Sequence, residues 1–364
     1  MIFCKDCFVD TEIIRRISSL GKQGNCSTCG SLNTFIYNTD EETNLDEIFD
    51  PLLEMFTIEE DLPVDYPNSK KFHLADELKK NWKIFSNISD RSVLDIIINI
   101  SRIFWFRYPA IFTDRVGIIE RYNKEYLVNH SLVKTNNWND FIGSVKNKNR
   151  FHTTIINTEI IKRYCEFIKK RYSQGSIFYR GRISKSETGM AISEMGAPPP
   201  GLAKAGRANA EGISHLYLAN DEKTTMHETR ASAFDIITVG TFFLKQDIVV
   251  INFRDLESIS PFVDDFDILE HAINIDHLKK INQEIARTLR RDDSPLDYIP
   301  TQYISDFIKS ISSQNGEPLY HGVEYKSTMN ISGYNLAIFY PELFECTDVK
   351  TFAVDELQYS YKNI

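Results

Sequence analysis

Two cysteine pairs set the first hard limit on this 364-residue chain: Cys4-x2-Cys7 and, eighteen residues on, Cys26-x2-Cys29. Two cysteines separated by two residues fit on one tight turn, so two such pairs can aim four sulfurs at a single tetrahedral ion. Gly24 before the second pair and Gly30 after it supply backbone freedom for those turns. Reduced thiols at this spacing predict a structural zinc site with Cys4, Cys7, Cys26 and Cys29 as ligands. Four filled positions leave none open for chemistry. The other two of the six cysteines, Cys165 and Cys346, read as core or incidental residues.

Composition excludes several classes. With 42% hydrophobic and 26% charged residues the chain can bury a sizeable core. Its net charge of −9 argues against bulk nucleic-acid binding or adhesion to acidic membranes, though a local basic pocket is compatible with it. No apolar run approaches about 18 residues, so no membrane span is expected. The opening MIFCKDCFVD lacks the basic and apolar stretches of a secretory signal, which predicts a cytoplasmic location.

Pattern divides the chain into an α+β arrangement of a small zinc-binding module (1–40), a helical bundle (45–172), a mixed α/β domain (173–345) and a tail (346–364). An acidic linker, TDEETNLDEIFD, follows the module. Helical periodicity is expected over Asp90–Phe106 and Thr154–Tyr172, where Ile156, Ile160, Tyr164, Phe167 and Ile168 share a face. In the third region, strands are expected over Ser176–Ile183, His215–Ala219, Thr238–Leu244, Ile248–Phe253, Val323–Tyr325 and Leu336–Phe339. Between them, Glu222–Phe234 reads as a helix with Asn220 or Asp221 as N-cap. Asp267–Arg291 and Leu296–Ile311 are longer helical candidates. There is no internal repeat. Neither a Gly-x-Gly-x-x-Gly nor a Walker loop occurs, so a Rossmann dehydrogenase or P-loop NTPase is unsupported.

Chemistry-bearing residues concentrate between Phe178 and Arg230, in FYRGRI, a Pro198–Pro200 loop, GRAN, LYLA and HETR. Guanidinium groups match the oxygens of a pyrophosphate, and Arg180, Arg182 and Arg207 are available. Tyr179, Tyr217 and Tyr303 offer platforms for a ring. Glu228 is the carboxylate placed to stabilise an oxocarbenium-like centre, and Ser327 in EYKST could bind phosphate or ribose. Each alone has a plainer reading: solvated charge, core tyrosine, helix former, turn or cap.

Together and in this order, the segments resemble the RES domain, named for its Arg, Glu and Ser, over roughly 173–345. The motifs are FYRGR with Arg180, GRAN with Arg207 and Asn209, LYLA with Tyr217, HETR with Glu228, GVEYKST with Ser327, and a final NLAIFYP. Ala208 stands where many members carry Trp, and the Pro198–Pro200 run lengthens the approach to that loop. The resemblance implies an ADP-ribosyltransferase-like fold and an enzyme that binds NAD and releases nicotinamide by hydrolysis or phosphorolysis, as NAD-consuming toxins do. It also implies roles. Arg180, Glu228 and Ser327 would be catalytic, while Arg182, Arg207, Asn209 and Tyr217 would bind substrate; Arg182 rivals Arg180 for the ligand-facing position. ADP-ribosylation of a protein or nucleic acid is one alternative, and a non-catalytic nucleotide-binding zinc adaptor is another. A toxin of this type implies a restraining partner such as an Xre-type antitoxin. Homo-oligomerisation is also expected. The region before it resembles HEPN-like N-terminal regions, but Arg121 and His130 are too far apart for the HEPN ribonuclease signature. That leaves packing, dimerisation or sensing as its role.

Overall fold

The structure is a computed structural model that describes residues 1–287 and 294–357. The chain divides into two compact units, one of residues 1–136 with 258–276, the other of residues 137–257 with 277 onward.

In the first unit, β1 (Ile2–Cys4), β2 (Gln23–Gly24) and β3 (Thr34–Asn38) form an antiparallel sheet in the order β1-β3-β2. A helix at Thr11–Ser19 begins at Asp10, whose carboxylate accepts from the Glu12 and Ile13 amides at 3.0 Å. The cysteine-bearing segment does not stand apart as a module. Phe3 stacks on Tyr37 at 5.2 Å and Phe8 meets Phe85 at 5.0 Å. These rings join one core with helices Asp46–Glu54, Leu74–Lys80 and Asp90–Ile100. Some forty residues bury too little apolar surface to fold alone. The segment expected to be mainly helical also holds β4 (Thr57–Ile58), β5 (Phe72–His73) and β6 (Arg115–Gly117), ordered β4-β6-β5. The Asp90 helix ends at Ile100; the backbone bends at Ser101 (φ −101°, ψ 52°) before helix Arg102–Arg107.

The second unit is organised by an eight-stranded sheet. Its strands are β7 (Lys169–Tyr172), β8 (Ile177–Ser184), β9 (Leu216–Ala219) and β10 (Ile236–Leu244), then β11 (Ile248–Asn252), β12 (Gly322–Lys326), β13 (Tyr334–Ile338) and β14 (Phe344–Ala353). Their order is β14-β10-β8-β9-β13-β12-β11-β7, with only β11 and β12 parallel among the pairs. A parallel pair needs a long crossover, and here it contains helices Ile268–Ala286 and Ile299–Ser310. The expected end of the first, Arg291, lies outside the described residues.

Two expectations are corrected. Helix Thr158–Ile168 does not continue to Tyr172: Lys169–Tyr172 becomes edge strand β7, paired with β11. Alternation explains the switch, because Lys170 and Tyr172 turn inward to the fully buried Glu324 (N–O 3.1 Å, O–O 2.5 Å), which Arg254 also reaches at 2.7 Å. Nor is the chain past residue 345 a tail, since β14 pairs with β10 from Phe344 to Ala353. Residues 358–364 lie outside the described residues.

Candidate functional site

The four cysteines of the first unit converge. Sγ–Sγ separations are 4.0 Å for Cys4–Cys7, 3.5 Å for Cys4–Cys29 and 3.7 Å for Cys7–Cys26, and all four sulfurs lie within 4.8 Å of one another. Sulfurs about 2.3 Å from one tetrahedral ion stand about 3.8 Å apart, so the cluster fits a metal ion. The Thr28 and Cys29 amides both donate to Cys26 Sγ at 3.4 Å, the local geometry of a metal-binding turn. Burial pushes the Cys4 thiol up to about 12 and raises that of Cys7, and neighbouring sulfurs add to both shifts. Several thiolates at such a place need a cation among them.

In the second unit, a cavity of about 740 Å³ opens on one face of the sheet, lined in part by Arg180, Arg207, Tyr217, Glu228, Tyr325 and Asn335. Arg180 projects from β8. Its Nη1 is buried with no hydrogen-bond partner among the described residues. Burial, with Arg182 close by, lowers its pKa to about 10, which still leaves it charged at neutral pH. Arg182 is not among the residues lining this cavity, and its Nη1 donates to the Glu194 carbonyl.

Glu228 comes from helix Glu222–Thr229, which starts at Asp221, the carboxylate accepting from the Thr224 amide at 2.7 Å. It ends at Thr229, five residues short of the expected Phe234, because Arg230 takes the left-handed region (φ 51°, ψ 39°). Gly181 sets the approach of strand and helix. Its amide donates to Thr225 Oγ1 at 2.6 Å, and a Cβ there would meet Thr229 Cγ2 at 2.7 Å. Glu228 Oε1 accepts from Ser327 Oγ at 2.6 Å and Asn335 Nδ2 at 2.8 Å. Ser327 is itself 7% exposed, and its oxygen accepts from the Met329 and Asn330 amides at 3.2 Å. The serine thus reaches the cavity through the glutamate.

The GRAN loop is held mainly by its own side chains. Asn209 Nδ2 donates to the carbonyls of Lys204, Ala210 and Ile213, and its Oδ1 accepts from Tyr217 Oη at 2.6 Å. Tyr217 Oη in turn accepts from the Ala208 amide at 3.1 Å. Gly206 is required, because a Cβ would lie 2.5 Å from Asn209 Oδ1 and 2.6 Å from Tyr217 Oη. Arg207 is 8% exposed and stacks over Tyr325, its Cζ 5.4 Å from the ring centroid. Asn209 and Tyr217 are therefore engaged in shaping the wall. Tyr303 does not join the site and packs edge-on against Phe141 at 5.6 Å. Residues the motif reading passed over do join it: Asn335, Tyr325, Tyr298 and Thr225. The first two sit inside NLAIFYP and EYKST, where strand alternation from the known motif positions could have found them.

The arrangement has a match among known families: the RES domain model covers residues 179–361, half of the chain. The chain belongs to the RES domain family. Its RES region thus runs past the expected boundary at residue 345, as the pairing of β14 with β10 requires. The family is associated with NAD-acting enzymes. No curated protein and no solved structure matches the chain. Among the described residues no helix is long and apolar enough to cross a membrane.

Proposed function

We propose that this RES protein consumes NAD, breaking the bond between nicotinamide and ribose. The observation that carries the reading is that one cavity of about 740 Å³ is lined both by Arg180, whose buried Nη1 has no partner among the described residues, and by a fixed carboxylate, Glu228. Arg180, with Arg207, would hold the diphosphate by charge-assisted hydrogen bonds. Tyr217 and Tyr325 would pack against the base or ribose. Among the described residues, the donors to Glu228 end on Oε1, which leaves Oε2 for the ribose.

As the C1′–N bond breaks, its electron pair leaves with nicotinamide, which departs neutral and needs no proton. Positive charge develops on the ribose, and Glu228 stabilises it at fixed distance. Water or phosphate then adds at C1′; the proton lost by an attacking water can pass to Glu228. Transfer to a protein or nucleic acid is the second reading, favoured by the same cavity. The cysteine cluster supports a zinc ion with a structural role, since four thiolates fill its coordination shell. A restraining partner is part of this proposal, and for the HEPN-like region we propose a role in packing, dimerisation or sensing.

The test is product analysis of NAD incubated with the full chain, with and without phosphate. The reading expects free nicotinamide with ADP-ribose or its phosphate ester, and loss of release in Glu228→Ala. Intact NAD would overturn it, as would equal release by that variant. Label retained on macromolecules would select the transferase reading.

A further inference from the structure

Two buried polar groups of the RES region lack partners and face the same space. Beside the main cavity lies a second chamber of about 400 Å³, which shares Arg180, Lys204 and Tyr217 with it and adds Arg182 and His215. Several other polar groups of its lining are already engaged. Tyr217 bonds Asn209, Asn209 holds three carbonyls, and Arg182 donates to the Glu194 carbonyl. Arg180 Nη1 and both ring nitrogens of His215 are buried without a hydrogen-bond partner among the described residues.

His215 is not incidental to the fold. It sits two residues before Tyr217, just ahead of β9, lines the chamber with it, and is 1% exposed. One flank of its ring meets Phe339 at 5.0 Å. Burial, with Lys309 nearby, lowers its pKa to about 4, so at neutral pH the ring offers one N–H donor and one acceptor. A buried polar group with nothing to bond is destabilising, and such groups recur where a ligand or water completes them. The charged residues lining the chamber are Arg180, Arg182 and Lys204, with no carboxylate among its lining residues. Cations without a counter-charge, beside an uncharged donor, match an oxyanion.

We propose that this second chamber is a subsite for a phosphoryl anion, with Arg180 and Arg182 supplying charge and His215 donating a hydrogen bond from one ring nitrogen. It deepens the reading above, because the anion sits against the same Arg180, yet it concerns binding and needs no turnover. The phosphoryl group has two sources, inorganic phosphate or the nucleotide itself.

The full chain labelled with ¹⁵N-histidine is titrated with inorganic phosphate and with ADP-ribose, following the His215 ring nitrogens by NMR. Phosphate affinity is measured by calorimetry for wild type, His215→Ala and His215→Asn. Expected are ligand-dependent shifts of the His215 resonances, phosphate binding weakened about tenfold or more in His215→Ala, and partial recovery in His215→Asn, which keeps a donor. If ADP-ribose competes with phosphate, the nucleotide's own phosphoryl group occupies the chamber; if both bind together, free phosphate does. Either result supports the subsite. His215 resonances unmoved by both ligands would overturn it, as would wild-type phosphate affinity in a folded His215→Ala. Should that variant not fold, the wild-type titration decides alone. Anion binding without nicotinamide release would leave the subsite standing and sink the enzymatic reading; release without an anion-dependent His215 shift would do the reverse.

Discussion

Ser327 Oγ donates to Glu228 Oε1 at 2.6 Å, joining two residues 99 positions apart in the chain. Two backbone amides pin the serine oxygen, and Asn335 holds the same carboxylate oxygen from the neighbouring strand. The glutamate is therefore oriented before any ligand arrives.

Removing that orientation should be visible in rate more than in fold. A hydrogen bond to a charged group contributes about 1.5–3 kcal/mol, so Ser327→Ala is expected to lower nicotinamide release by roughly 10- to 100-fold. Asn335→Ala should act in the same direction. Because both donors end on one oxygen, the double variant should lose less than the sum of the two. A double-mutant cycle on the release rate checks this.

Arg180 shows the opposite balance of stability and function. Its buried, unpartnered Nη1 disfavours the folded state of the free protein. Arg180→Met is expected to leave stability unchanged or raise it by about 1–3 kcal/mol while abolishing NAD binding. Thermal melting beside calorimetric titration distinguishes this from simple loss of fold, in which both readouts would fall.

His215 gives a pH signature. Its folded-state pKa, about 4, lies below its ordinary 6.5, so between these values the unfolded chain binds the extra proton and the folded chain does not. The contribution of this residue to stability is therefore full above pH 6.5 and is lost as pH falls toward 4, by about 3 kcal/mol. Urea midpoints measured across this range should rise with pH in wild type, and that part of the slope should be absent in His215→Phe.

Metal removal should act on the first unit. Cys4, Cys7 and Cys26 are buried in the same apolar core as Phe3, Phe8 and Phe49. One zinc per chain is expected by elemental analysis, and Cys26→Ser or a strong chelator should lower the melting temperature of that unit. An unchanged melt with no bound metal would count against the zinc reading.

Much of the sheet could be read from sequence because its inner strands alternate or run apolar, as in β8, β10 and β11. The two edge strands could not. Lys169-Lys170-Arg171-Tyr172 reads as the polar end of a helix, and β14 mixes exposed and half-buried residues with charge, as edge strands do. Arg180 and Arg182 lie two apart on one strand, so alternation assigns them to the same face; only the Glu194 carbonyl, far from either motif, separates their surroundings. Tyr298 escaped because it lies just before helix Ile299–Ser310, outside every motif. The cysteine spacing was legible, but the shared core was not, since the Phe8–Phe85 contact crosses the acidic linker.

Gly181 provides a mechanical test of the site. A Cβ there would lie 2.7 Å from Thr229 Cγ2 and 3.1 Å from the Thr225 carbonyl oxygen, so Gly181→Ala should destabilise the second unit by about 1–3 kcal/mol and reduce activity with it. Gly143, within helix Trp138–Asn147 and with nothing within 4 Å of its would-be Cβ, is the control. Its change to Ala should stabilise by up to about 1 kcal/mol. Melting curves of the two variants should move in opposite directions.

The missing side chain at Gly181 makes the interval between Arg180 and Glu228 a property of two backbones in contact rather than of two flexible side chains. Walls of the cavity such as Tyr298 or Lys204 can then be exchanged to retune which ligand enters, while the spacing between the two charges stays as a fixed gauge.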